Sequence, residues 1–306
     1  MTPLNVSRAI GTGTTGACSP TRFAPSLGSK LLPHEWLGGA FLLSLWLRIV
    51  AAEGVFAQDA LLSVAALVAC LAVLSLSARR DTETWWRVRL ALYPVVMNPL
   101  YFLLASAVPA IQPMRADKLL QAVDGWLIGA NLSVRLEPWI HPVATEVLSF
   151  CYLWYLFYLF STQIKYLRGD VATLKRQYAG LFSIYAIGYA GYSILPAVGP
   201  YLAMADTFTR PLEGGWFTDL TAWTVLAASN RVDIFPSLHV ANSVYILLFD
   251  YRYRRRRFWL CLAPCAGLVV STIYLRYHYF VDVLVGLGLA VWALWLARSV
   301  QPEKRT

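Results

Sequence analysis

Charged side chains are scarce in this sequence. They make up 14% of its 306 residues, against about 25% in a soluble domain, which excludes an ordinary water-soluble globule. Histidine occurs four times and cysteine five times. Of the cysteines, Cys70, Cys151, Cys261 and Cys265 lie in apolar runs and Cys18 near the N-terminus. None has metal-ligand spacing, so neither a disulfide framework nor a thiolate metal site is expected. Sustained apolar–polar alternation is missing too, which excludes a β-barrel. Residues 1–35 lack the short apolar core of a secretory signal. Rich in Gly, Thr, Ser and Pro, they are expected to form a flexible cytoplasmic tail. No internal repeat is evident.

What the chain has instead is apolar length: 58% of its residues are hydrophobic. Eight runs approach the ~20 residues that cross a bilayer core. They cover Trp36–Ala52, Leu61–Ala78, Leu90–Val108, Val143–Phe160, Tyr178–Leu195, Pro236–Phe249, Phe258–Tyr274 and His278–Leu296. The fold class expected is an all-α polytopic membrane protein with about eight transmembrane helices. Gly180, Gly188 and Gly191 predict close helix approach in the fifth run. In 109–142, Leu119, Leu120, Val123, Leu127 and Ile128 recur at helical spacing and predict one or two short interfacial helices. Residues 201–235 read as a long loop. The expected division is a tail (1–35), three N-terminal helices (36–108), a catalytic membrane domain (109–298) and a short tail (299–306).

The net charge of +9 does not imply a nucleic-acid partner, because the basic residues alternate with the apolar runs. Nineteen of the 26 Lys and Arg fall in 1–35, 79–89, 163–177, 252–257 and 298–306. Placing those pieces in the cytoplasm satisfies the positive-inside rule and puts both termini inside. Arg48 is then expected to snorkel, Trp85 and Trp86 to anchor at the interface, and Arg252–Arg257 to act as a topology signal. The starts of the sixth and eighth runs share the non-cytoplasmic face, periplasmic in a bacterium.

Those two starts carry the chemistry. Phe235-Pro236-Ser237-Leu238-His239 opens one and His278-Tyr279-Phe280-Val281-Asp282 the other. Positions i and i+4 of a helix share a face, so Asp282 can fix the His278 tautomer and leave the other nitrogen nucleophilic. A second imidazole, His239, can pass a proton to a leaving oxygen and take one from an acceptor. This set suits double displacement at phosphorus and calls for neither metal nor cofactor.

The two motifs resemble the second and third signatures of the type-2 phosphatidic acid phosphatase superfamily. They are most similar to the branch that holds fungal inositol phosphorylceramide synthase and its bacterial relatives. Pro196-Ala197-Val198-Gly199-Pro200 resembles that branch's replacement for the first signature, and Asp117–Gly129 its pre-core segment. The resemblance implies His278 as nucleophile, Asp282 as its orienting group and His239 as acid/base, acting on a membrane lipid through a phosphohistidine. It implies a phosphate site that includes Gly199 and Pro200. The superfamily's first-signature Lys is absent, with Ala203 in its place seven residues before Arg210-Pro211. The third-signature Arg is absent as well, since Ser271 is followed by Thr272. Arg276 is the first candidate to replace them and Arg231 the second. Ser237 is expected either to bond phosphate or to cap its helix.

Two other classes compete: a proton-coupled lipid transporter or flippase, and an inert scaffold that binds anionic lipid. Both histidines at one face count against the first. The missing Lys and Arg count for the second.

Overall fold

The computed structural model describes residues 31–300. The predicted N-terminal tail and Cys18 therefore fall almost wholly outside the described residues. The first helix begins at Pro33. Among the described residues there is no β-strand. The twelve α-helices are α1 Pro33–Glu53, α2 Gln58–Arg80, α3 Glu83–Ile111, α4 Asp117–Ile128, α5 Leu132–Arg135, α6 Pro142–Leu167, α7 Val171–Ile194, α8 Pro200–Ala203, α9 Trp216–Ala228, α10 Leu238–Tyr253, α11 Arg255–Tyr274 and α12 Phe280–Ser299.

The chain is an all-α polytopic membrane protein. All eight predicted runs are helices, and six of them (α1, α2, α3, α6, α11, α12) are long and apolar enough to cross a membrane. The other two, α7 and α10, are the most enclosed. α10 has 16 residues and packs against α6, α7, α11 and α12. Surrounded by protein, it needs no lipid-facing apolar surface. α7 is buried along its length and joins this core to α1 and α3. Its glycines permit that approach. A Cβ on Gly180 would collide with the Tyr245 ring, and one on Gly191 would lie 2.7 Å from the Phe235 carbonyl oxygen. Overpacking of this kind costs about 1–3 kcal/mol.

The basic turns gather at one end of the bundle. An Arg87 N–H donates to the Leu167 carbonyl (2.6 Å), and Arg176 to the Val300 carbonyl (3.0 Å) and the Tyr253 hydroxyl (3.3 Å). Arg257 donates to Thr162 and pairs with Asp250 (3.4 Å). The Arg252–Arg257 run is thus structural as well as a charge signal.

Three expectations change. Arg48 does not snorkel: it donates to the Ser193 hydroxyl (3.0 Å) and carbonyl (2.7 Å), tying α1 to α7. Trp86 is no interfacial anchor. It is buried, bonds Asp81 through Nε1 (2.9 Å) and lies under the Arg89 and Lys175 cations. The long loop contains α9, whose apolar residues lack a clean helical period. Glu146 of α6 organises the start of α9 by accepting the N–H groups of Gly215 (2.7 Å), Phe217 (2.9 Å) and Thr218 (3.0 Å).

Candidate active site

The His278 backbone is set by the end of α11. Arg276 adopts left-handed φ (67°), and the Thr272 carbonyl accepts the N–H groups of Tyr277 (3.0 Å) and His278 (2.9 Å). Tyr279 then caps α12. One Asp282 oxygen, Oδ2, accepts the Tyr279 N–H (2.9 Å) and lies 3.1 Å from His278 Nδ1. Both side chains are buried. The expected pair is therefore present, but its cause differs from the expectation. His278 precedes the helix by two residues, so the link comes from the capping geometry of α12 and not from a shared helical face.

His239 is the second residue of α10, closer to the helix start than expected. Ser237 is the N-cap, its hydroxyl accepting the Val240 N–H (3.4 Å), which is the capping role of its two expected ones. The Ser237 N–H in turn donates to the Asp282 carbonyl (3.2 Å), so the starts of α10 and α12 are bonded directly. The His239 and His278 rings lie 5.8 Å apart at 64°. Tyr152 of α6 stacks on His239 at 4.9 Å with its hydroxyl 3.3 Å from Nε2, and Tyr155 tilts against it at 4.6 Å. Sequence reading missed both tyrosines. The only signal was the Tyr-rich composition of the fourth run.

Two aspartates of the short helix α4 hold this assembly. Asp117 accepts the N–H groups of Val198 (3.2 Å) and Gly199 (3.0 Å) and the Tyr279 hydroxyl (3.0 Å). Gly199 has φ 84°, and a Cβ there would collide with the Tyr277 carbonyl; only glycine fits. Pro200 follows as the first residue of α8. Residues 196–200 are therefore a brace against the His278 segment. Asp124 accepts the first-turn N–H groups of Phe280 and Val281 (2.9 Å each), capping α12 from a distance. Burial pushes the Asp124 carboxyl above its ordinary value, against the pull of those two N–H groups. Asp124→Ala is expected to cost about 1–2 kcal/mol, the value of a lost cap, and to lower turnover about tenfold by loosening His278. Melting of the detergent-solubilised protein and a rate measurement check this, and an unchanged melting curve would contradict it.

The arginines lie elsewhere. Arg276 donates to the Arg210 carbonyl (2.6 Å), pairs with Glu137 (3.6 Å) and stacks on Phe208 (4.0 Å). The Arg210 and Thr209 N–H groups, then the Arg276 charge, hold the Glu137 carboxyl below its ordinary range. Arg231 is exposed, with left-handed φ (59°) and a carbonyl that accepts from Arg115 (3.1 Å). Neither lines the cavity of about 260 Å³ on which His239 and His278 open. Its walls come from α3, α6, α7, α8, α9 and the segment before α10, and they carry tyrosines, Asn98, Ser229 and Asp233. No Lys or Arg is among the described residues that line it.

With this geometry in hand, the chain can be set beside known proteins. It is 31% identical over 125 residues to a PA-phosphatase related-family protein of Dictyostelium discoideum, covering 40% of this chain and 23% of that one. It is 30% identical over 119 residues to a phosphoinositol dihydroceramide synthase of Bacteroides thetaiotaomicron, covering 34% of this chain and 39% of that one. The matched stretch thus spans well under half the length of either relative. No solved structure matches the chain. The family model described as the PAP2 superfamily matches residues 119–296, which include both histidine motifs, and the chain belongs to that superfamily.

Proposed function

We propose that this protein is a membrane lipid phosphatase or headgroup transferase working through a phosphohistidine at His278. Members of the superfamily are phosphatases or phosphotransferases, and the reading rests on one observation. Two imidazoles face one cavity 5.8 Å apart, and one of them has its Nδ1 tied to a buried carboxylate. With Nδ1 bonded to Asp282, the Nε2 lone pair attacks phosphorus. The N–P bond forms, the P–O bond to the leaving group breaks, and His239 gives that oxygen its proton. In the second half His239 takes a proton from the acceptor hydroxyl, the new P–O bond forms and the N–P bond breaks. Water as acceptor gives hydrolysis; a lipid or polyol hydroxyl gives transfer.

The phosphoryl group is placed beside the first turn of α10, where the positive end of a helix favours an anion. Gly199, Pro200 and Arg276 act on the site by bracing the 276–279 segment. The basic turns at the far end support a cavity on the non-cytoplasmic face, with both termini in the cytoplasm. The absence of Lys and Arg from the cavity wall speaks against a scaffold built to hold anionic lipid.

Acid–base stability of a trapped intermediate tests the mechanism. Brief exposure to lipids carrying ³²P in the headgroup is expected to label the protein with phosphorus that survives alkali and is lost in acid, as an N–P bond is. An acid-stable label, or none during turnover, would refute the phosphohistidine.

A further inference from the structure

The cavity wall says which headgroup it suits. Asp233 is its one carboxylate among the described lining residues. One of its oxygens accepts from the Tyr101 hydroxyl and the other from the Ser229 hydroxyl (3.0 Å). The Asn230 N–H donates to the Tyr101 oxygen (3.2 Å) and its side-chain amide to the Tyr101 carbonyl (2.9 Å), which fixes the loop to α3. Asp233 itself is 9% exposed and is linked through its backbone to Ala197 of the brace.

Among the described residues, no Lys or Arg lines the cavity to offset this carboxylate. Arg276 is spent on Glu137, the Arg210 carbonyl and the Phe208 face. Arg231, the nearest cation in sequence, is exposed and lines neither wall nor floor. An anionic or polyol phosphate would therefore add negative charge to a pocket that already holds one, in a weakly screening membrane setting. A headgroup with a cation does the opposite. Aromatic faces also attract ammonium groups, and quaternary ammonium ions are bound in cages of such rings. Tyr101, Tyr152, Tyr189, Tyr192 and Tyr201 line the same cavity.

Resting on the reading of the site as a lipid headgroup enzyme, we infer that its donor is a phospholipid with an amine or quaternary ammonium headgroup. Asp233 and the surrounding tyrosines hold the cation, and the phosphorus lies at His278. Asn98, Tyr101 and Phe102 of α3 complete that wall. They precede the part of the chain matched by the family model, so headgroup selection is shared with the N-terminal helices.

The test compares phosphatidylcholine, phosphatidylethanolamine, phosphatidylinositol and phosphatidic acid at equal mole fraction in nanodiscs holding the full-length protein. The choline or ethanolamine lipid is expected to be consumed at least about tenfold more efficiently than either anionic lipid. Asp233→Asn is expected to remove that preference, mainly through KM. Preference of the wild type for phosphatidylinositol or phosphatidic acid would overturn the inference while leaving the enzyme reading intact. So would an equal loss by Asp233→Asn on all four lipids, which would mark Asp233 as a general proton acceptor. If no lipid is turned over, the enzyme reading fails. Thermal stabilisation of His278→Ala by each lipid then decides: stabilisation by an amine lipid that Asp233→Asn abolishes supports the cation site, and any other pattern refutes it.

Discussion

His278→Ala is expected to reduce turnover by about 10⁴-fold or more while the protein still folds. The ring is buried, but among the described residues its only side-chain bond is to Asp282. Its loss leaves α12 capped by Tyr279 and Asp124, which bond without it. Asp282→Asn is the sharper substitution. Asp282 Oδ1 has no partner and Oδ2 serves both the Tyr279 N–H and His278 Nδ1. Because one atom serves both groups, an asparagine that turns its amide toward Nδ1 gives up the bond to the Tyr279 N–H. That amide donates, so Nδ1 must accept, and the proton moves to Nε2, the nitrogen that has to attack phosphorus. A loss of about 10⁴-fold is expected, the cost of a wrong tautomer, with a melting temperature lowered only by the one lost cap bond, about 1 kcal/mol. His239→Ala should cost less, about 10²–10⁴-fold, the range of a general acid or base. Rates of headgroup release from lipid in detergent, read beside melting curves, separate the three. Turnover above a tenth of wild type in Asp282→Asn would remove the tautomer argument.

The parts of this molecule that were legible in its sequence are those that a single run of residues determines. Apolar length marked all eight long helices, and Ser237 sat where an N-cap belongs. The spacing of His278 and Asp282 pointed to a real pair, although the cap of α12 makes it. What stayed hidden depends on groups far apart in the chain. Asp117 and Asp124 look in the sequence like the polar face of a short amphipathic helix, and a helix does run through them. Their carboxylates are spent on N–H groups roughly 80 and 155 residues away, bonds that no spacing reveals. Glu137 and Glu146 do the same for the 209–218 segment. The same holds for Tyr152 on His239 and Tyr101 on Asp233. Arg276 misled because proximity in sequence to His278 says nothing about direction. Its left-handed backbone turns the guanidinium toward Glu137.

The largest loss of stability is expected far from the cavity, at Arg89. This residue was counted with the basic turn that orients the protein, yet it is 1% exposed. Its Nε donates to Glu35 Oε1 (2.7 Å), and a second guanidinium nitrogen bonds the other carboxylate oxygen. The Tyr93 hydroxyl (2.9 Å) and the Leu32 N–H (2.7 Å) complete the shell around Glu35. Arg89→Ala leaves that carboxylate buried without its counter-charge, which costs about 3–5 kcal/mol. The expected result is a strongly lowered melting temperature and poor recovery from membranes. Replacing both partners with apolar residues of similar volume, Glu35→Leu with Arg89→Met, should restore most of the stability, because the double change also removes the cost of desolvating two ions. A double-mutant cycle read by thermal melting gives the coupling, and additive single effects would show that the pair does not act as one. Topology should survive in every variant that accumulates. With Arg89 set aside, eighteen Lys and Arg remain in the pieces proposed to be cytoplasmic against seven elsewhere, so the positive-inside bias persists without it. Arg89 thus acts by joining α3 to α1.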